Sequence, residues 1–350
     1  MGLPPLYAVA KITSCADSIR VDTLKIGPLE LESPVLLAPL AGYTDLPFRR
    51  CIRALGGCGM AYTELLSPKT LIHSNSDVKR KLVATAPDDQ PLGYQVYGKE
   101  PGLVAAGAKW VEDYGAKLVD INMGCPQKKL SNKGRGAGLL RTPELAVEIV
   151  REVIEAVHVP VTVKLRLGWD NTDTAVGLAR EFEKLGAAAI TIHGRTRMQG
   201  FSGNVNLDAI RRVVEAVENV PVIANGDITS VESAREMFDK TGCEGIMLGR
   251  YPMKDPWIIR DIARNLAGEP PLSRPTRQER VDFMTRHFEL SVEFYGAKTA
   301  VIIFRKWVRQ YLRGLQVDRK LLAELMQITD PQEWRFRVPK ALLELREGGN

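Results

Sequence analysis

The chain has 350 residues, 45% hydrophobic and 26% charged, which is enough apolar side chain for a large packed core and excludes a chain that is disordered throughout. No apolar run approaches the roughly 20 residues of a membrane helix, so no membrane association is expected. A formal net charge of +6 is a mild basic bias that suits a polyanionic partner without demanding one.

Residues 1–23 place Pro4 and Pro5 where a signal peptide would begin its apolar core, and no small-residue cleavage site follows. Leu6 stands where a myristoylation signal needs Ser or Thr. This stretch is expected to be an unstructured extension of a cytoplasmic protein.

From Val35 onward, short apolar runs alternate with longer helical patterns. The runs are Val35–Ala38, Met60–Glu64, Leu92–Tyr97, Lys117–Asn122, Val161–Arg166, Ala188–His193, Val222–Asn225 and Gly245–Gly249. Continuous apolar runs of this length, most ending in Gly, Pro or a polar turn, have the signature of buried parallel strands. Helices are expected over Pro101–Tyr114, Leu207–Val217 and Ser230–Asp239. Another opens at Thr142-Pro143, with Thr as N-cap and Pro in the first turn, and one from Asp173 ends at Gly186 as C-cap. Eight strand–helix repeats predict an α/β fold, a (β/α)8 TIM barrel over residues 24–268. An open doubly wound sheet would carry a Gly-rich turn after its first strand, and Ala38-Pro-Leu-Ala-Gly42 is no such turn.

Residues 269–276 are Pro-rich and read as a linker, and residues 277–350 as a small all-helical C-terminal domain. Val301, Phe304, Val308, Tyr311 and Leu315 form an apolar stripe there, with Arg305, Arg309 and Arg313 forming a basic stripe beside it. From Pro271 onward stand fifteen Lys and Arg against ten Asp and Glu, so most of the positive excess lies in this region.

Cys15, Cys51, Cys58, Cys125 and Cys243 are odd in number and scattered, which builds no disulfide frame, and no CxxC pair points to a metal. Cys51 and Cys58 read as packing residues. Cys125 differs because of where it stands.

Chemistry in a barrel is built at the C-terminal ends of the strands. There the chain places Gln95, then Asn122 followed by Met-Gly-Cys125, then Lys164 and Arg166. His193-Gly-Arg195, Asn225-Gly-Asp227 and Gly249-Arg250 follow on the next three strands. Six polar strand ends on one rim point to a site. Lys164 alternates with apolar neighbours and so faces the barrel interior, where an ammonium needs an anionic or carbonyl partner. The electron-rich pyrimidine edge of a flavin is such a partner. Gly226 and Gly249 fit the phosphate site of backbone N–H groups common in barrels, with Arg250 able to add a charged fork.

The run Asp120-Ile-Asn-Met-Gly-Cys-Pro126 is similar to the Asn-Met-Gly-Cys-Pro motif of tRNA-dihydrouridine synthases. Ala38-Pro-Leu-Ala-Gly-Tyr-Thr-Asp45 resembles the first-strand motif of that family, with Leu40 where Met is usual. Val163-Lys-Leu-Arg-Leu-Gly-Trp169, His193-Gly-Arg-Thr-Arg197 with Gly200-Phe-Ser-Gly203, Ala224-Asn-Gly-Asp227 and Met247-Leu-Gly-Arg250 resemble further blocks in the same order. The likeness covers Leu24 to Gly268 and is nearest to the B-type bacterial branch.

The resemblance implies an FMN-dependent reductase of the C5=C6 bond of specific uridines in tRNA, in the D-loop. Hydride would pass from reduced FMN to C6 and a proton from Cys125 to C5, with NADPH as transient reductant. It assigns Pro39, Leu40, Ala41, Gln95, Lys164, His193, Asn225, Gly226, Asp227, Gly249 and Arg250 to the cofactor, and places Asn122 near the substrate ring. A thiol near its ordinary pKa of about 8.5 suits a general acid at neutral pH. The target base must leave its stack to react. Lys133, Arg135, Arg195, Arg197, Arg305, Arg309 and Arg313 are the candidates for RNA phosphate. The Gly-rich basic stretch Gln127–Gly138 could act as a lid. Readings that stay open are an FMN barrel reductase of a small pyrimidine or enone, a synthase acting on ribosomal RNA, and a non-catalytic RNA-binding barrel. A monomer is expected.

Overall fold

A computed structural model describes residues 23–312 and 318–345. The extension over residues 1–22, Cys15, Arg313 and Leu315 lie outside the described residues.

The described chain opens with a feature absent from the sequence reading. Strands β1 (Leu24–Ile26) and β2 (Leu29–Leu31) form an antiparallel hairpin turned at Gly27, whose φ of 56° favours glycine. Each strand has three residues, too few to show a period.

Eight strands then close a parallel barrel in chain order. They are β3 (Val35–Leu37), β4 (Met60–Tyr62), β5 (Leu92–Val96), β6 (Val119–Met123), β7 (Val161–Arg166), β8 (Ala189–His193), β9 (Val222–Asn225) and β10 (Gly245–Leu248), with β10 paired to β3. The (β/α)8 expectation holds. Inside the barrel Leu36, Met60, Tyr62, Leu118, Ala189, Ile223 and Met247 pack together with Leu24, Ile26 and Leu31 of the hairpin. A Cβ on Gly245, the first residue of β10, would stand 2.8 Å from a Leu24 methyl. The hairpin is therefore the floor of the barrel at the N-terminal ends of the strands. Ligand access is left to the opposite, C-terminal mouth.

The shell consists of α1 (Leu46–Leu55), α2 (Pro68–His73), α3 (Ser76–Leu82), α4 (Pro101–Asp113), α5 (Lys128–Ser131), α6 (Pro143–Ala156), α7 (Thr174–Leu185), α8 (Leu207–Ala216), α9 (Val231–Thr241) and α10 (Ile258–Leu266). Gly186 ends α7 in the left-handed region, as its position predicts, with φ 95°. Thr142 precedes α6 but does not cap it with its side chain: its hydroxyl donates to Leu139 O at 3.4 Å instead. The turn Gly136–Arg141 just before it brings that carbonyl within reach.

Beyond an irregular stretch over 269–276 lie α11 (Arg277–Tyr295), α12 (Ala297–Tyr311), α13 (Arg319–Gln327) and α14 (Pro331–Glu344). Helix α11 starts at a reciprocal capping box of Thr276 and Glu279. Val301, Phe304 and Val308 are buried, as the stripe predicts, and Phe288 stacks on Trp334 at 3.6 Å. This bundle is fastened to the flank of the barrel. The Trp307 ring lies 4.5 Å from that of Phe48 on α1 and 5.3 Å from that of Tyr43, and Tyr295 Oη donates to Asp45 Oδ2 at 2.8 Å. Among the described residues no helix is long and apolar enough to cross a membrane.

Candidate active site at the barrel mouth

Pairing of the parallel strands puts the polar strand ends in layers. Gln95, Asp120 and Thr162 are neighbours in one layer, and Asn122 and Lys164 are neighbours in the next toward the mouth. Arg166, His193 and Asn225 are paired above them. Positions two apart on a strand face the same side, so each layer projects into the barrel.

These side chains form a directed chain of hydrogen bonds. Thr162 Oγ1 donates to Asp120 Oδ1 at 2.6 Å, and Gln95 Nε2 donates to Asp120 Oδ2 at 2.6 Å. Asn122 Nδ2 donates to Gln95 Oε1 at 2.9 Å, and the Cys125 backbone N–H donates to Asn122 Oδ1 at 3.1 Å. Both ends fix the direction. An ionised carboxylate only accepts and a backbone N–H only donates, so both amides between them have one orientation that satisfies every link. Gln95 and Asp120 are fully buried. Burial raises the Asp120 carboxyl to about 6, against the lowering effect of Thr162, Gln95 and Lys164. Asp120 and Thr162 have no role in the sequence reading. The signal was there in Val-Asp-Ile-Asn, which turns Asp120 inward with Asn122.

Lys164 is buried, and its Nζ donates to Asn225 Oδ1 at 2.8 Å. Burial lowers its pKa to about 8, with Asp120 opposing that shift. Asn225 is held in turn by donation from Nδ2 to Met247 O at 2.6 Å. Gly226 has φ 123°, and a Cβ there would meet Val205 at 2.5 Å and the His193 ring at 3.0 Å. Only glycine fits. Burial, and then Arg166, Lys164, Arg195 and Arg250, hold the His193 imidazole well below its usual pKa, so it is neutral at pH 7. Pro39, Leu40 and Ala41 form the turn above β3, tied by donation from Leu40 N to Thr44 Oγ1 at 2.9 Å. Gly249 has open space where a Cβ would stand, and Arg250 is exposed beside it.

Cys125 lies under the same mouth, half-buried, with its carbonyl accepting from Ala137 N at 3.0 Å. Burial raises its thiol pKa above the ordinary value, so Sγ keeps its proton at neutral pH. Cys51 and Cys243 are buried, and Cys58 is half-buried with its thiol donating to Met60 O at 3.4 Å. The stretch expected as a lid is packed only in part, with Gln127–Lys129, Asn132 and Lys133 exposed. Lys128–Ser131 form a helical turn, Gly136–Leu140 are buried, and Gly138 rests so closely on Ser131 that a Cβ would stand 2.3 Å from its carbonyl oxygen.

The expected phosphate contacts divide. Arg195 is only 3% exposed and donates to Asp227 Oδ2 at 2.6 Å and to Ser202 O at 3.2 Å. It is an internal tie rather than an RNA contact. Its partner Asp227 accepts from Arg195 and from the Val205 N–H through the same oxygen, Oδ2. Arg305 turns inward and donates to Ile328 O at 3.3 Å, because the loop between α13 and α14 brings that carbonyl within reach. Lys133 and Arg309 are exposed, and Arg135 and Arg197 are half-buried at the surface. Arg197 donates to Ser131 Oγ at 3.0 Å and lies over the Trp169 ring. Arg166, a rim residue without an assigned role in the sequence reading, joins the rim loops by donating to Gly124 O at 2.9 Å, Thr196 O at 2.9 Å and Gly200 O at 2.7 Å.

Residues 36–346 match the family model described as dihydrouridine synthase (Dus). The chain is 40% identical over 325 residues to a probable tRNA-dihydrouridine synthase of Rickettsia conorii, covering 93% of this chain and 98% of that one. It is 36% identical over 330 residues to tRNA-dihydrouridine synthase B of Pseudomonas aeruginosa, covering 94% and 98%. Among solved structures, a 2-naphthoyl-CoA reductase complex superposes with a TM-score of 0.56 at 11% identity, over 72% of this chain and 53% of that one. This chain thus spans about half of that reductase, and the likeness concerns the fold alone.

Proposed function

The chain belongs to the dihydrouridine synthase family, and from that premise we propose that it reduces the C5=C6 bond of specific uridines in tRNA to 5,6-dihydrouridine. The observation that carries this reading is a protonated Cys125 held by the Asp120–Gln95–Asn122 chain at the same mouth as a buried Lys164.

The mouth suits FMN. A buried ammonium whose hydrogen-bond partner among the described residues is a neutral amide oxygen has donors left for an electron-rich ring edge. Gly249 offers open space beside Arg250 for a phosphate to approach. Lys164 would meet the ring, Pro39, Leu40, Ala41 and His193 would line it, and Asn225, Gly226, Asp227, Gly249 and Arg250 would hold the ribityl chain and phosphate. Gln95, fully buried and bonded at both amide ends, supports that edge from the layer beneath instead of touching the cofactor. When bound, the flavin supplies hydride, and NADPH is its external reductant in this reading.

Cys125 holds the second hydrogen, as a proton on Sγ, for C5 of the uracil. Asn122 fixes the backbone of that residue while lying beside the substrate ring. In this reading the protein acts as a monomer in the cytoplasm, and the likeness to the B-type branch supports the D-loop as its target. Purified protein should be yellow, and with NADPH it should form dihydrouridine in unmodified tRNA. A colourless protein, or a yellow one inert on tRNA but active on a free pyrimidine, would replace this reading.

Two further results are expected. The part of FMN affinity that depends on Lys164, read as wild type against Lys164→Ala in the apoprotein, should fall as pH rises through about 8, because Lys164 loses its proton there and an electron-rich ligand then has to restore it. Lys164→Ala should bind weakly at every pH. Titration by flavin fluorescence quenching checks both, and a difference between the two proteins that grows above pH 8 would remove Lys164 from the cofactor edge. On α12, Arg309→Glu should lower the slope of log Kd for tRNA against log salt by about 1. An unchanged slope would take that helix face out of the interface.

A further inference from the structure

Beside the mouth, on the turn over residues 196–203, Phe201 is 49% exposed and Met198 60% exposed. The turn is not loose. Gly200 N donates to Arg197 O at 3.1 Å, Ser202 N donates to Gln199 O at 2.9 Å, and Arg166 holds the Thr196 and Gly200 carbonyls from below. A well-tethered backbone thus presents an aromatic ring to water, where it forfeits the gain of burial.

Cations lie against that ring. The guanidinium carbon of Arg250 is 4.4 Å from the Phe201 ring centroid, and that of Arg166 is 5.5 Å away. Next to it, Arg141 at 4.9 Å and Arg197 at 4.7 Å lie over the Trp169 ring, while Met198 N donates to Trp169 O. Among the described residues Arg141, Arg197 and Arg250 take part in no ion pair. A half-exposed aromatic ring bordered by Arg197 and Arg141, which take part in no ion pair among the described residues, matches a ligand that has flat rings and a negative backbone.

The place of this surface narrows the ligand further. Arg166 donates both to Gly200 O, next to Phe201, and to Gly124 O, next to Cys125. One guanidinium therefore spans the distance from the exposed ring to the proton donor.

Resting on the tRNA reading above, we propose that Phe201 is a stacking platform for the nucleobase that flanks the target uridine. Arg197 and Arg141 face the adjoining phosphates, and Met198 borders the platform. Extruding one uridine breaks its stacking with its neighbours, and a protein ring beside the mouth replaces part of that loss.

The test uses the FMN-loaded protein, an unmodified tRNA transcript, and the variants Phe201→Ala, Phe201→Leu and Phe201→Tyr. Retained flavin absorbance and an unchanged melting temperature confirm the fold of each. Ala and Leu should weaken tRNA binding by about 5- to 150-fold, the range for losing one base–aromatic stack, and Tyr should bind like the wild type. An abasic residue beside the target uridine should abolish the difference between Ala and wild type. If Ala binds as wild type, or Leu rescues as well as Tyr, the platform is wrong although the tRNA reading stands. A wild-type protein that carries FMN yet binds no tRNA overturns both.

Discussion

Cys125→Ala is expected to slow single-turnover formation of dihydrouridine by about 10²–10⁴-fold, the usual contribution of a positioned general acid. Saturating the C5=C6 bond needs a proton at C5, and Cys125 is the group at the mouth that burial keeps protonated at neutral pH. Its position comes from the backbone: its N–H is accepted by Asn122 Oδ1 and its carbonyl accepts from Ala137 N. Neither bond involves the thiol, so the variant should fold, hold FMN and bind tRNA. Cys125→Ser should rescue poorly, since a hydroxyl is a far weaker acid. The measurement is anaerobic quench of pre-reduced protein mixed with unmodified tRNA. A wild-type rate for Cys125→Ala would show that the proton comes from elsewhere.

Asp120→Ala is expected to cost about 1–3 kcal/mol of stability, the usual penalty for leaving a buried donor without its acceptor. It removes the anion that favours the Lys164 ammonium, and it leaves the Thr162 hydroxyl and the Gln95 amide without their acceptor. Thermal melting with and without FMN checks this, and a melting temperature equal to wild type would mean that Asp120 holds nothing together. Asp120→Asn is the sharper variant. An amide keeps one oxygen for Gln95 Nε2 and turns its NH2 toward the Thr162 hydroxyl, which accepts as well as donates, so the links to Asn122 and the Cys125 N–H keep their direction. Asp120→Asn should therefore leave kcat and tRNA affinity close to wild type. It should also shift the fall in FMN affinity below pH 8, because the Lys164 ammonium loses the neighbour that supports it. The pH dependence of stability has a definite sign. Asp120 has its pKa raised in the folded protein to about 6, so its contribution is present at low pH and is lost as pH rises through about 6. Asp120→Asn should lack that decline.

Sequence alone determined the barrel, because each strand is a run of apolar residues long enough to register, and the pleat then dictates which side every second residue faces. This is why Lys164 is placed inward, and Gln95, Asn122 and Asn225 at the strand ends, from the residues alone. Cys125 was singled out by the company it keeps in Asn-Met-Gly-Cys-Pro, and Gly186 and the α12 stripe were legible for similar local reasons. The hairpin floor was not, since strands of three residues carry no period. Tertiary structure alone decided which polar groups meet. Asp120 finds Gln95 across 25 positions and Thr162 across 42, and Lys164 finds Asn225 across 61, through parallel pairing that no local pattern encodes. The same holds for Arg195 and Arg305, which read as surface cations by type. One is buried against Asp227 and the other turns to a carbonyl of the helical bundle. Charge is a property of the residue, but its partner is a property of the fold, because a guanidinium is satisfied by whichever oxygen the packed chain brings within 3 Å or so.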